Sequence, residues 1–182
     1  MKTLALYFLL LLCIVHVSQA QNVFLSRNTE ISFLSEARFE NISAVSKKGV
    51  SAVDVSKREI AFKVPIQSFK FRNGLMQEHF NETYLESDKY PYATFKGVLM
   101  EGSDLSKNGT YNVIVTGQFN LHGVTTERTI PGVVVVQNNK LEITSAFVVP
   151  VQDHHIKIPN DKISNISQDI KVKVRAVYEQ KN

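Results

Sequence analysis

Beyond residue 21, apolar and polar positions alternate with period two along most of the chain, the pattern of strands that bury one face. Ile60, Phe62, Val64 and Ile66 fall on one side, with Ala61, Lys63, Pro65 and Gln67 opposite. The phase slips at Gln67-Ser68 before Phe69 and Phe71 resume the apolar face, which predicts a bulge or bend. Pro65 brings no amide donor and belongs at an edge or irregular position. A second face runs through Tyr111, Val113, Val115, Gly117, Phe119 and Leu121, and a third through Leu141, Ile143, Ser145, Phe147 and Val149, preceded by the turn residues Asn138-Asn139. The last strand is the clearest, with Ile170, Val172, Val174 and Ala176 inward against Lys171, Lys173 and Arg175 outward. Ala93, Phe95 and Val133 to Val136 add strand material, and Glu30 to Phe33 and Ala37 to Asn41 predict two shorter strands near the start.

The connections are too short for the helical crossovers that parallel pairing requires. The expected fold is therefore all-β: one antiparallel barrel of about eight strands, whose closure removes exposed edges. One segment departs from period two. From Leu75 to Leu85 the spacing is helical, with Met76, Phe80 and Tyr84 at i, i+4 and i+8, and Pro91 prevents continuation. A short amphipathic helix here would cover one mouth of the barrel.

Residues 1–20 read as a signal peptide: Lys2, an apolar run from Leu4 to Val17, then Ser18-Gln19-Ala20 before the expected cleavage. The domain proper is then 21–182, a soluble protein in the periplasm or secreted. Cys13, the sole cysteine, lies in that leader, so the remaining 162 residues have no disulfide or thiol chemistry, and the core must supply the stability. Loss of Lys2 lowers the formal charge from +4 to +3, with the charges scattered; this is no nucleic-acid signature and allows at most transient contact with a membrane surface.

At the helix, an ordered set of short motifs appears. It comprises Ser68-Phe69-Lys70-Phe71, Leu75-Met76, His79-Phe80-Asn81-Glu82, Tyr84-Leu85-Glu86-Ser87 and Lys89-Tyr90-Pro91-Tyr92-Ala93-Thr94-Phe95. It continues through Gly117-Gln118-Phe119-Asn120-Leu121-His122-Gly123-Val124-Thr125 to Asp153, Ile156 and Pro159. From roughly Ile31 to Tyr178 the chain closely resembles the YceI-like family. The resemblance implies a lipocalin-like barrel, exported in bacteria, that binds a polyisoprenoid chain in its cavity.

An eight-stranded barrel either fills its interior with side chains or holds one small ligand. With a ligand present, Phe62, Phe69, Phe71, Phe95, Val113, Val115, Phe119 and Phe147 would line the tube, and Leu75, Met76 and Phe80 the mouth. His79 is a candidate head-group contact, with a scaffold role as the alternative. Glu78 and Glu82 fit a solvated helix face, and His122 a structural role in a turn. Asp153-His154-His155 is the one cluster to test for metal, but adjacent histidines on a strand point apart, so no metal or other cofactor is expected. The expected partner is an isoprenoid lipid or quinone. An enzyme using His79 or the Asp153-His154 neighbourhood on such a lipid, and a ligand-free structural or stress protein, remain the alternatives.

Overall fold

A computed structural model describes residues 23–180 apart from 101, 103, 139 and 163. The expected leader with Cys13, and Asn139 of the expected turn, lie outside the described residues. The alternating segments form strands β1 (Val23–Glu36), β2 (Asn41–Asp54), β3 (Glu59–Pro65), β4 (Lys70–Phe71), β5 (Tyr92–Leu99), β6 (Gly109–Leu121), β7 (Val124–Gln137), β8 (Lys140–Pro150) and β9 (Asp169–Gln180). Every pairing is antiparallel. Around the barrel the order is β1-β9-β8-β7-β6-β5-β3-β2, and β1 pairs with both β2 and β9, so the sheet is closed. β4 follows β3 along the same neighbour, pairing Ala44 with Phe71 after β3 has paired Val50 with Lys63. Eight strand positions therefore form one closed, lipocalin-like barrel.

The phase slip at Gln67-Ser68 is a single 3-10 turn, Ile66–Ser68, between β3 and β4. Pro65 ends β3, where its missing donor costs nothing beyond the last β2 pairing. At the start of the chain the expectation of two short strands needs correction. Ala37 to Glu40 form a turn, and the strands on either side run fourteen residues each. Two causes hid them. Register shifts between Ser26 and Ile31 break the alternation of β1, and several inward positions are small or hydroxylic: Ser26, Thr29, Ser46 and Ser51. These hydroxyls bond one another instead of exposing a polar face. Thr29 Oγ1 meets Ser51 Oγ at 2.8 Å, Ser51 Oγ donates to the fully buried Tyr178 hydroxyl at 2.9 Å, and Ser46 Oγ meets Ser68 Oγ at 2.6 Å.

The interior divides into two apolar clusters. One gathers Phe95, Leu99, Val113, Val134, Leu141 and Ile143 around Tyr178, at the end of the barrel that holds the β7–β8 turn. The other gathers Ile31, Val64, Ile66, Phe69, Leu85 and Val151 at the opposite end, beneath the long β4–β5 connection. Between β5 and β6, Gly97 and Gly117 face each other; a Cβ on Gly117 would lie 2.1 Å from the Lys96 carbonyl oxygen, so the close approach of these strands requires glycine.

The β4–β5 connection begins with helix α1 (Gly74–His79), capped by Asn73, whose Oδ1 accepts from the Leu75 and Met76 amides. The helical stretch expected from Leu75 to Leu85 is helical almost throughout: after His79, α1 widens into one π turn, Phe80–Tyr84, closed by the Leu85 amide donating to the Phe80 carbonyl. The widened turn carries the chain into the left-handed residue Glu86. His122 clamps this corner: Nε2 lies 2.7 Å from the Glu86 carboxylate and Nδ1 3.0 Å from the His154 carbonyl, with the Tyr90 ring edge-on at 4.6 Å. Next to it Gly123, at φ +75°, leaves room for Tyr90; a Cβ there would sit 2.5 Å from the ring.

Candidate ligand-binding site

Inside the barrel, under α1, lies a cavity of about 460 Å³ whose walls are almost wholly apolar. That size falls within the ordinary range of ligand pockets, roughly 300–1,000 Å³. It spans both apolar clusters: Val113, Val115, Val134 and Ile143 line one end, and Ile31, Val64, Phe69 and Leu85 the other. Inward-facing glycine and serine keep the lumen open at mid-height, where Gly132 pairs with Ser145, and the Ser145 hydroxyl turns away to donate to the Pro131 carbonyl at 2.6 Å.

Each wall residue expected from alternation faces this space: Phe62, Phe69, Phe71, Phe95, Val113, Val115, Phe119 and Phe147. So do Leu75, Met76, His79 and Phe80 from the covering segment. Leu75 is 57% exposed and sits at the rim, whereas Phe80 lies deeper. The Phe80 ring stacks on Phe33 at 5.4 Å and packs against Phe71 at 5.0 Å and Phe69 at 5.8 Å. Phe80 is thus the anchor of the cover, and Leu75 and Met76 are its edge. Phe33 completes this four-ring cage and was missed, although Ile31-x-Phe33 carries the alternation that would have placed it inward.

Most polar side chains lining the cavity already have partners: Ser35 accepts from the Ser167 amide and Asn73 caps α1. His79 and Tyr84 on the cover, and Lys162 and Asn165 on the facing segment before β9, supply polar groups at the mouth. Burial pushes the Tyr84 hydroxyl pKa above its ordinary value, against the opposing pull of Lys162, so Tyr84 remains a neutral donor. Sequence reasoning named neither Lys162 nor Asn165, which lie in an irregular segment where no period marks direction.

The Asp153-His154-His155 cluster disperses. Asp153 pairs with Arg128 at 3.2 Å, His155 adopts a left-handed, exposed conformation, and His154 is fully buried against Phe119 with ring centroids 5.1 Å apart. Burial lowers the His154 pKa, and its Nε2 has no hydrogen-bond partner. Neither Asp153 nor His154 lines the cavity.

Comparison with known proteins places this architecture. A polyisoprenoid-binding domain from Saccharophagus degradans, implicated in plant cell wall breakdown, superposes with a TM-score of 0.75 at 13% identity, over 88% of this chain and 99% of the other. BcnA of Burkholderia cenocepacia gives 0.69 at 16%, over 82% and 95%. The YceI protein of Campylobacter jejuni gives 0.58 at 16%, over 81% and 86%. At such identities these likenesses show a shared fold. No curated protein matches the chain. The model of the YceI-like domain, however, matches residues 17–178, and with nearly its whole length accounted for the chain belongs to the YceI-like family.

Proposed function

We propose that this protein binds and carries a long apolar lipid, a polyisoprenoid or an isoprenoid quinone, with its chain in the barrel cavity. The observation that carries this reading is the cavity itself: about 460 Å³, walled by phenylalanine and branched aliphatic side chains, with His79, Tyr84, Lys162 and Asn165 at one mouth. Transfer of an alkyl chain from water into such a space gains about 0.8 kcal/mol per CH2. The likeness to a polyisoprenoid-binding domain supports the same ligand class. In this reading the eleven apolar residues named above contact the chain, and His79 contacts the head group at the mouth. No cofactor takes part. The segment 1–20 directs export, and the protein works in the periplasm or outside the cell.

The test is native mass spectrometry of protein purified gently from its own source, followed by organic extraction. A discrete bound mass resolving to an isoprenoid is the expected result. A bare polypeptide mass, unchanged after incubation with quinones and polyprenyl phosphates, overturns the proposal.

A further inference from the structure

The rim of the cavity mouth carries apolar groups that the barrel itself does not need. The β1–β2 turn places Phe39 at its tip, 70% exposed, the most exposed of the large apolar side chains among the described residues. Leu75, at the start of α1, is 57% exposed and also lines the mouth. Both belong to the end of the barrel where the cavity opens, since β4, which leads into α1, pairs with β2 only a few residues after the turn. An exposed phenylalanine at a hairpin tip adds nothing to the core, whereas two apolar groups flanking an apolar opening match an interface between water and hydrocarbon.

The charges of this arc favour one sign of surface. The Arg38 guanidinium stands 5.4 Å from the centre of the Phe39 ring, a cation directly beside the apolar tip. Lys70 and Arg72 flank the adjoining strand and helix start, and among the described residues neither has a carboxylate partner. Glu36 is neutralised by Lys171 at 2.5 Å, which leaves Glu40 as the opposing charge on the turn. Glu78 follows Leu75 by one helical turn and Glu82 lies in the π turn beyond it, so the cations sit at the hairpin and the helix start and the carboxylates come later along the cover.

We propose that the β1–β2 tip and the start of α1 form a docking surface for an anionic phospholipid bilayer, with Phe39 and Leu75 entering the head-group boundary and Arg38, Lys70 and Arg72 meeting lipid phosphates. The inference rests on the lipid-carrier reading above and adds to it the source of the cargo: the mouth faces the bilayer, and a lipid tail slides between membrane and barrel without crossing water. The contact is shallow and reversible, because two side chains and a few surface cations give far less than an inserted helix.

Sedimentation with vesicles of phosphatidylcholine, alone or mixed with phosphatidylglycerol, tests it. The protein is expected to bind the mixed vesicles, more weakly as salt rises. Phe39→Ser, Leu75→Ser and Arg72→Glu are each expected to lose about fivefold in vesicle affinity, with circular dichroism and melting temperature unchanged. Equal binding by Phe39→Ser and the unmodified protein overturns the proposal, as does equal binding to vesicles with and without phosphatidylglycerol. Self-association in the ultracentrifuge that Phe39→Ser abolishes, without vesicle binding, overturns it in favour of a second copy on this surface. Extraction separates the two readings: lipid in the cavity without vesicle binding leaves the carrier standing and removes the docking surface, whereas vesicle binding by a protein that never holds lipid does the reverse.

Discussion

Phe80 and Met76 are four residues apart on the cover of the cavity, yet their tasks differ. Phe80 touches three other phenylalanines, so Phe80→Ala opens a hole in a ring cage and is expected to cost about 3 kcal/mol in urea unfolding. Met76 edges the mouth, and Met76→Glu is expected to leave the melting temperature nearly unchanged while lipid retention falls about tenfold, about 1.4 kcal/mol. Unfolding of Met76→Glu would place Met76 in the essential core instead. His154 gives a prediction in pH. Its ring is buried with a lowered pKa, so the unfolded chain takes up the proton first and stability falls as pH drops below about 6.5 toward the lower folded value. His154→Phe, which keeps a ring against Phe119 but gives up the 3.3 Å contact of Nδ1 with the Val124 carbonyl, is expected to flatten that loss between pH 7 and 5, read as melting temperature against pH.

Among the elements, legibility followed chemistry. The strands β3, β6, β8 and β9 turn branched and aromatic side chains inward at most of their alternate positions, and their faces could be read directly. β1 and β2 bury serine, threonine, alanine and glycine, residues whose presence says little about direction, and a bulge resets the count. Their length follows from the ladder they make with each other from end to end, a pairing that the periodicity within either strand does not record. The walls of the cavity were legible for the same reason the good strands were. Lys162 and Asn165 were not, because only the fold brings that segment opposite α1. The Gly97–Gly117 pair is a further demand of the whole sheet. Gly117→Ala pushes a methyl group into the Lys96 carbonyl and is expected to destabilise the barrel by more than about 2 kcal/mol in chemical denaturation, with no compensation from lipid binding.

For the molecule as a whole, folding and cargo are linked. The cavity interrupts what would otherwise be a solid core, so a bound chain supplies packing that the empty barrel lacks. A lipid held at a hundred times its dissociation constant is expected to add about 2.7 kcal/mol. For a domain of this size that raises the melting temperature by about 5–10 °C, measurable by calorimetry before and after delipidation.

The seam that closes the barrel joins β1 to β9, the first strand to the last. Until β9 is free to pair, β1 has one unsatisfied edge and the sheet remains open, however complete the ladders between the strands before it are. The slowest event in assembly is therefore set by contacts of the greatest sequence separation, and the chain stays uncommitted until β9 (Asp169–Gln180) has reached β1.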